Sequence, residues 1–588
     1  MLTFDKLGRM PILLTVPALA TLLVVFGIPS VQLFLTSLNA PSFSVANYRA
    51  FFEQQANLRV LFQTIEMSVV ATTICVIIGY PTAYLIVSAQ SRHRVVLLVL
   101  VFIPWLTSGL VRTYAWVEIL GDRGLINNVL LHLGFVSSPL QLIFNRLAVY
   151  VGMVHIMLPV MILPLISVMM GIDKSLMTAA RSMGAKPFTA FWYVFFPLSL
   201  PGVRSGALLV FIFCLGFYIT PQALGGVQET MLSTLMASEL QNSLNLGPVA
   251  ASSFILLAIT AAAIAMFGLD MSGKQGLAPQ PAVKSRRVGL PLSGLSRHYI
   301  NEPIVRFRAK SWPDNLYRAR AESGWWKIVA AIYILAVMGY ILFPSLVIVL
   351  MSFSPKEYME FPPSSLSLRW YRSFFADPSW TEALGTSIQL GIWATVLSTV
   401  VGTLAAFGLS RTQARLRSPL TMVILTPIIV PSIVVGVAIF FGLYRLGLIG
   451  TRTGIILAHS IIAIGSVVAI VSATLANFDR RLEQAAYSMR ANPMQTFMRV
   501  SLPLIRPGII GGAVFAFISS FDEVVITQLV SMYSVRTLPL KMWENVRNEI
   551  DPTIAAVGSM LTLLPVIWLV ILYFMWWRRR LVDQPARL

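Results

Sequence analysis

Continuous apolar runs separated by short polar stretches fill both halves of the chain. In the first half they extend from Pro11 to Leu38, Thr64 to Ala89, Val95 to Leu120, Leu147 to Met170, Val203 to Thr220 and Val249 to Asp270. In the second they extend from Trp325 to Phe353, Gly385 to Leu409, Pro419 to Tyr444, Gly454 to Ala476, Gly508 to Leu529 and Ala555 to Trp577. Each comes close to the roughly 20 residues that carry a helix across about 30 Å of hydrocarbon. Transmembrane strands would instead alternate apolar and polar positions over about ten residues, so continuous runs point to helices. The pattern predicts an all-α polytopic membrane helical bundle of 12 transmembrane helices, arranged as six plus six.

The polar stretches carry a second pattern. DKSLMTAARSMGAKPFTAFWYVFFPLSLPG, from Asp173 to Gly202, recurs without a gap as DRRLEQAAYSMRANPMQTFMRVSLPLIRPG, from Asp479 to Gly508, at a constant offset (479 − 173 = 306). Upstream the offset rises, because Pro104 aligns with Pro427 (427 − 104 = 323), which leaves about seventeen extra residues (323 − 306 = 17) in the first half between Gly121 and Arg146. That enlarged outer loop is either an asymmetric surface for an outside partner or a tolerated insertion. Residues 271–324 are rich in Pro, Gly, Ser and Arg and sustain no apolar period, so they read as a cytoplasmic basic linker. The domains expected are a first transmembrane unit at 1–270, the linker at 271–324 and a second unit at 325–588. An even number of spans before the linker makes the units parallel, related by a pseudo-twofold axis along the membrane normal.

With 56% hydrophobic and 12% charged residues, the chain is too apolar to be a set of soluble cores. The first run follows Asp5, Lys6 and Arg9 and lacks a small-residue cleavage site, so it is expected to remain as a span rather than be removed as a signal. Cys75 and Cys214 fall inside apolar runs and predict buried thiols, not a disulfide framework. Lys and Arg near span ends stay on the cytoplasmic side. Placing the N-terminus inside collects Lys6, Arg9, Arg92, Arg94, both repeated loops, the linker and Arg578 to Arg580 on one face, and leaves the outer segments poor in cations. Both termini are therefore expected to be cytoplasmic. The net charge of +20 then reports topology, and no nucleic-acid partner is expected.

Each repeated loop has an alanine pair (Ala179 and Ala180; Ala485 and Ala486), a turn (Gly184 and Ala185; Arg490 and Ala491) and prolines that re-enter the next span. Paired alanines favour a short helix that approaches a surface closely, and the turn and prolines end it. The pattern resembles the EAA loop of the type I importer permeases of ABC transporters, over essentially the whole chain. The resemblance implies that each loop forms a coupling helix seated on one of two copies of a cytoplasmic ATPase, that ATP and Mg are bound there and not by this chain, and that an extracytoplasmic substrate-binding protein delivers solute to the outer face in a bacterial inner membrane. The acidic position of the family motif is Thr178 in one copy and Gln484 in the other, with Glu483 one place earlier, so an ion pair from that acid to an ATPase does not carry over. Arg490 replaces the family glycine that survives as Gly184, and a left-handed turn there costs about 1 kcal/mol or more.

Within the superfamily, LVRTYAW, GLINNVLLHLG and LGFYITPQALGG in the first half and SFDEVVITQLV in the second resemble the spermidine and putrescine permeases, here as a fusion of two subunits. That implies a polyamine solute. Ferric-iron and thiamine permeases share parts of these patterns and stay open as alternatives. In another class, a secondary transporter driven by an ion gradient also uses twelve spans and parallel halves.

Candidates for the solute pathway follow. Asp522 and Glu523 start fourteen residues into the eleventh run (522 − 508 = 14), about 21 Å from its inner end at 1.5 Å per residue. An ionised acid at mid-membrane costs about 2.5–3.5 kcal/mol, so the pair faces either an aqueous path for a cation or backbone groups it hydrogen-bonds. Arg112 and Trp116 share a helix face, near Tyr114 and Glu118, where a cation–π contact and an interfacial aromatic belt are both open readings. Tyr218 and Thr220 sit beside Pro221, where a broken helix would line a cavity. His93, His132, His155, His298 and His459 share no metal-ligand spacing, and no phosphate-cradling glycine loop precedes Lys-Ser or Lys-Thr. No metal site, bound cofactor or enzymatic activity is expected of the chain itself.

Overall fold

A computed structural model describes residues 11–267 and 325–567, apart from 40, 243–244, 357–362, 364, 533, 549–550 and 564–565. The linker at 271–324 and the end of the last apolar run lie outside the described residues. Among the described residues nine helices are long and apolar enough to cross a membrane, and two bent pairs bring the spans to eleven. Thr553–Leu563 begins the twelfth run.

The third and ninth runs are not straight. Ser91–Leu106 and Gly109–His132 meet at 92°, and Ala414–Ile429 and Ser432–Arg445 at 101°. In the second pair Val430 precedes Pro431 and is held extended, at ψ 138°, as a residue before proline must be. Thr107 takes the same conformation at ψ 150°, and the Ser108 hydroxyl accepts the Val111 N–H that the restarted helix leaves open. The fifth and eleventh spans also differ from expectation. They run Pro187–Leu215 and Pro493–Phe521, each starting directly after a repeated loop and passing through a π-helical turn, Phe191–Phe195 or Phe497–Ser501. Thr220 therefore sits in the separate helix Ile219–Leu224, and Asp522 and Glu523 follow a helix end instead of lying within one.

Matched hydrogen bonds show that the two units are copies. The Thr64 hydroxyl accepts the Leu232 N–H at 2.8 Å and the Ser387 hydroxyl accepts the Leu538 N–H at 2.7 Å. Ser37 meets the Tyr48 hydroxyl at 2.8 Å, and Ser352 meets that of Tyr371 at 2.7 Å. Arg146 pairs with Glu66 at 3.1 Å where Arg452 donates to Gln389 at 2.9 Å.

The first span of each unit packs on the other unit. Gly408 and Gly442 lie so close to Pro11–Ser37 that an added Cβ would be 2.7 Å from the Pro11 carbonyl and 2.4 Å from Pro29. In return, Tyr333 and Tyr340 of Trp325–Met351 donate to the carbonyls of Ile78 and Val151, each at 2.7 Å, and the Ile341 carbonyl meets His155 Nε2 at 3.0 Å. His459 bonds Ser520 and Thr527 within the second unit, so both histidines serve packing. The resulting core is continuous across the units, with Leu110, Tyr114, Leu215 and Tyr218 packed in one cluster with Val434, Val524, Leu529 and Trp543.

Candidate functional site

The repeated loops form short helices, Lys174–Ser182 and Arg481–Ser488. Asp173 Oδ1 accepts the Ser175 N–H at 2.8 Å, and Asp479 Oδ1 accepts the Arg481 N–H at 2.9 Å. The Ser175 contact holds the Asp173 carboxyl below its usual range. Both helices end alike. Gly184 donates to Arg181 and Ala185 to Ala180, each at 3.0 Å, while Arg490 donates to Tyr487 at 2.9 Å and Ala491 to Ala486 at 3.0 Å. This paired closure needs a left-handed residue. Gly184 supplies it at φ +86°, and Arg490 adopts it at φ +62° despite its Cβ.

One face of each helix rests on the bundle. Ala180 and Ala486 are buried there, whereas Thr178, Ala179, Gln484 and Ala485 point away from it and are exposed. Flanking these buried alanines, each loop also leaves apolar side chains exposed in register, a leucine one turn before the alanine and a methionine at the helix end. Leu176 and Leu482 are each 46% exposed, and Met183 and Met489 are 83% and 77% exposed. The same apolar side chains are thus left uncovered by the bundle at matched positions of two copies. The alanine pairs drew attention to these loops, but the leucine and methionine that face out were readable too, as identities between copies in an otherwise polar segment.

At the middle of the molecule each unit's fifth span ends against the bend of the other. A Cβ on Gly216 would lie 3.1 Å from Pro431 Cβ, so glycine permits that contact. In the other copy Asp522 takes the position of Gly216, and its Oδ2 accepts the Gly109 N–H at 3.2 Å, with the Ser108 hydroxyl alongside. Glu523 Oε1 accepts the Ile526 N–H at 2.9 Å. Each carboxylate thus turns from the helix C-terminus it follows to a helix N-terminus, Asp522 to Gly109–Leu120 and Glu523 to Val525–Ser531, where the dipole favours negative charge.

Asp522 has a further property. Its Oδ1 is buried with no hydrogen-bond partner among the described residues, and the residue lines a cavity of about 560 Å³ whose walls include Leu106, Leu384, Phe517, Phe521 and Leu561. Phe517 and Phe521 stack there with centroids 5.6 Å apart. Arg112, 5% exposed, lies within electrostatic reach of the same carboxylate.

The remaining pathway candidates lie elsewhere. Tyr114 hydrogen-bonds Glu118. Trp116 packs edge-on to His155 at 5.7 Å and beside Tyr340 at 5.7 Å. Thr220 meets Thr113 at 3.0 Å, and Tyr218 packs on Trp543 at 6.0 Å. These groups close the core, and among the described lining residues Asp522 alone of the seven reaches the cavity.

Comparison with known proteins agrees with the duplicated loops and the bundle. Residues 398–584 match the family described as binding-protein-dependent transport system inner membrane component. The spermidine/putrescine transport system permease protein PotB of Haemophilus influenzae is 35% identical over 202 residues, which is 34% of this chain and 70% of that protein. PotB of Escherichia coli is 32% identical over 200 residues, covering 34% of this chain and 72% of its own. The putrescine transport system permease protein PotI of Escherichia coli is 29% identical over 243 residues, covering 40% of this chain and 85% of its own. Each is shorter than this chain and corresponds to part of it, as expected for two permease units joined in one polypeptide. With its apolar helices, its paired loops and these relatives, the chain is a multi-pass membrane protein that belongs to the family of inner membrane components of binding-protein-dependent transport systems.

Proposed function

We propose that the chain is the fused permease of an ATP-driven importer that takes up a polyamine, with two copies of an ATPase seated beneath the loops at Lys174–Ser182 and Arg481–Ser488. The observation that carries this reading is the matched exposure of Leu176 and Leu482 and of Met183 and Met489 on two helices closed by the same turn. A secondary transporter has no need of two such helices with the same apolar side chains left uncovered. The permease units are 1–270 and 325–588, with 271–324 joining them on the cytoplasmic side. Thr178, Ala179, Gly184 and Ala185, with Gln484, Ala485, Arg490 and Ala491, belong to the ATPase contact, whereas Ala180 and Ala486, expected in it from the sequence, are buried and seat the helices on the bundle. A binding protein brings solute to the outer face. The ATPases, not this chain, hold and hydrolyse ATP.

Polyamine as the solute rests on the named activity of the relatives and on the carboxylate of Asp522 at the cavity. A flexible dication is bound by charge and by apolar or aromatic contact along its methylene stem. Asp522 with Phe517 and Phe521 supplies both. For ATPase closure to drive transport, it must bind the inward- and outward-open states with different free energies.

Replacing Ala485 with Trp, or Gly184 with a bulky residue, is expected to leave ATP hydrolysis running without uptake in proteoliposomes holding the ATPase and binding protein. Normal uptake by these variants would remove the docking assignment. Uptake by the purified chain alone, driven by an ion gradient, would favour the secondary transporter.

A further inference from the structure

Glu483 is the other bundle-facing residue of the second loop helix, one turn before Ala486, and it is 8% exposed. Its Oε1 is held by two groups at once, the Arg411 guanidinium at the end of Pro378–Arg411 and the Ser501 hydroxyl at the start of the fifth span of that unit. Arg411 is fixed in turn. It donates to the Phe407 carbonyl at 3.2 Å and the Ser410 hydroxyl at 3.0 Å, with its guanidinium carbon 3.2 Å from the Phe407 ring centroid. Arg480 adds a bond to the Ser410 carbonyl. The second loop is thus tied to the inner end of one span through charge.

The first unit provides the internal control. The two offsets place Met177 at the position of Glu483 (483 − 306 = 177), Phe195 at that of Ser501 (501 − 306 = 195) and Ser88 at that of Arg411 (411 − 323 = 88). There Phe195 and Phe191 pack edge-on to Tyr84 at 5.2 and 5.3 Å, and Met177 packs against the same cluster. Phe407 and Phe497 repeat the Tyr84 and Phe191 contact at 4.8 Å. The three residues of the Glu483, Arg411 and Ser501 contact are all replaced in the first unit, where Ser410 and Phe407 also differ, as Val87 and Tyr84 (410 − 323 = 87; 407 − 323 = 84).

We propose that Glu483 is a positioning residue for transport. Through Arg411 and Ser501 it makes the second loop and the inner end of Pro378–Arg411 move as one piece, so that displacement imposed on the loop by an ATPase reaches the span. In the first loop an apolar set performs the same work. This assignment also removes Glu483 from the ATPase interface, because its carboxylate is used inside the permease. The inference rests on the proposed docking of ATPases at these loops.

The test measures solute moved per ATP hydrolysed by the intact transporter, with its ATPase and binding protein, in proteoliposomes. E483M inserts the first unit's residue alone and strands Arg411 at a site where losing one partner of a buried pair is costly. It is expected to lower the ratio at least tenfold. The triple variant E483M/R411S/S501F installs the first unit's residues at the three positions of the contact and is expected to restore the ratio to within twofold of the parent. A purely structural role would lower the melting temperature and the yield without changing the ratio among folded molecules.

An unchanged ratio in E483M overturns the proposal. So does a triple variant that fails to assemble, or that assembles and stays uncoupled. If E483M itself does not assemble, the triple variant decides alone. A485W is measured alongside. Normal coupling in A485W sinks the docking reading, whereas uncoupling in A485W with normal coupling in E483M sinks only the positioning role.

Discussion

Neutralising Asp522 separates two uses of one buried charge. In D522N an amide oxygen can still accept the Gly109 N–H now bonded at 3.2 Å, so the local fold is kept and the weaker interaction with the helix N-terminus costs about 0.3–1 kcal/mol. A solute ammonium about 4 Å from the carboxylate, at an effective dielectric near 20, is attracted by roughly 4 kcal/mol before desolvation is counted. Net contributions of hydrogen bonds to charged groups are smaller, about 1.5–3 kcal/mol. At about 1.4 kcal/mol per tenfold, D522N should reduce uptake of a dication at limiting concentration by roughly 10- to 100-fold. Arg112 complicates this, because its Nε and Nη1 have no hydrogen-bond partners among the described residues and Asp522 is the nearby countercharge. The double variant D522N/R112M resolves the matter. If Asp522 serves the solute, uptake stays low in the double variant; if it serves Arg112, removing both charges restores uptake. Labelled polyamine uptake into proteoliposomes, scanned over concentration, is the assay, with E523Q as a comparison because Glu523 caps Val525–Ser531 and lies off the lining. Unchanged uptake in D522N, or full recovery in the double variant, refutes the solute assignment.

Two further outcomes test the frame around these sites. R490G relieves a left-handed backbone at φ +62°, a gain of about 1–2 kcal/mol offset by about 0.5–1 kcal/mol of glycine chain entropy, so a modest rise in the melting temperature of the detergent-solubilised protein is expected and a fall contradicts the strain. N127A removes a fully buried side chain that donates to the carbonyls of Gly121 and Leu140 at 3.0 and 2.9 Å and accepts the Leu140 N–H at 2.8 Å. At about 1 kcal/mol per bond, the segment between Gly121 and Arg146 should loosen by roughly 2–3 kcal/mol and become open to limited proteolysis, while resistance equal to the parent would show that the amide does not hold it.

The parts of this molecule written locally were legible in the sequence, and the parts created by packing between distant segments were not. Apolar run length located eleven spans, and the left-handed turn at Arg490 followed from its alignment with Gly184. The 92° and 101° bends were hidden because hydropathy is blind to a two-residue interruption in an apolar run. Pro431 was the local signal for one of them, but Ser108 occupies its position in the other unit and carries no such mark. Asp522 and Glu523 have the sequence signature of acids within a helix because Val524, Val525 and Ile526 continue the apolar run past the true end. Their partners lie 413 residues away in one case and three in the other. The Glu483 network joins positions 72 and 18 residues apart, a separation at which periodicity carries no information.

What joins these observations is a symmetric scaffold with asymmetric chemistry at its contact points. Gly216 and Asp522 occupy equivalent places, yet a side chain at Gly216 would begin 3.1 Å from Pro431, so a second acid in the first unit would crowd the opposite bend. In a twofold dimer of identical units a carboxylate at this level would appear twice near one axis, and two like charges in an apolar surrounding oppose each other's ionisation. Two non-identical units remove that conflict: one supplies the acid and the other the glycine that lets the opposite bend close. The same division appears at the repeated loops, where one is anchored by Met177 and aromatic rings and the other by Glu483, Arg411 and Ser501. Joining the units in one chain guarantees that the two always meet in a one-to-one ratio, which is the condition this division of chemistry requires.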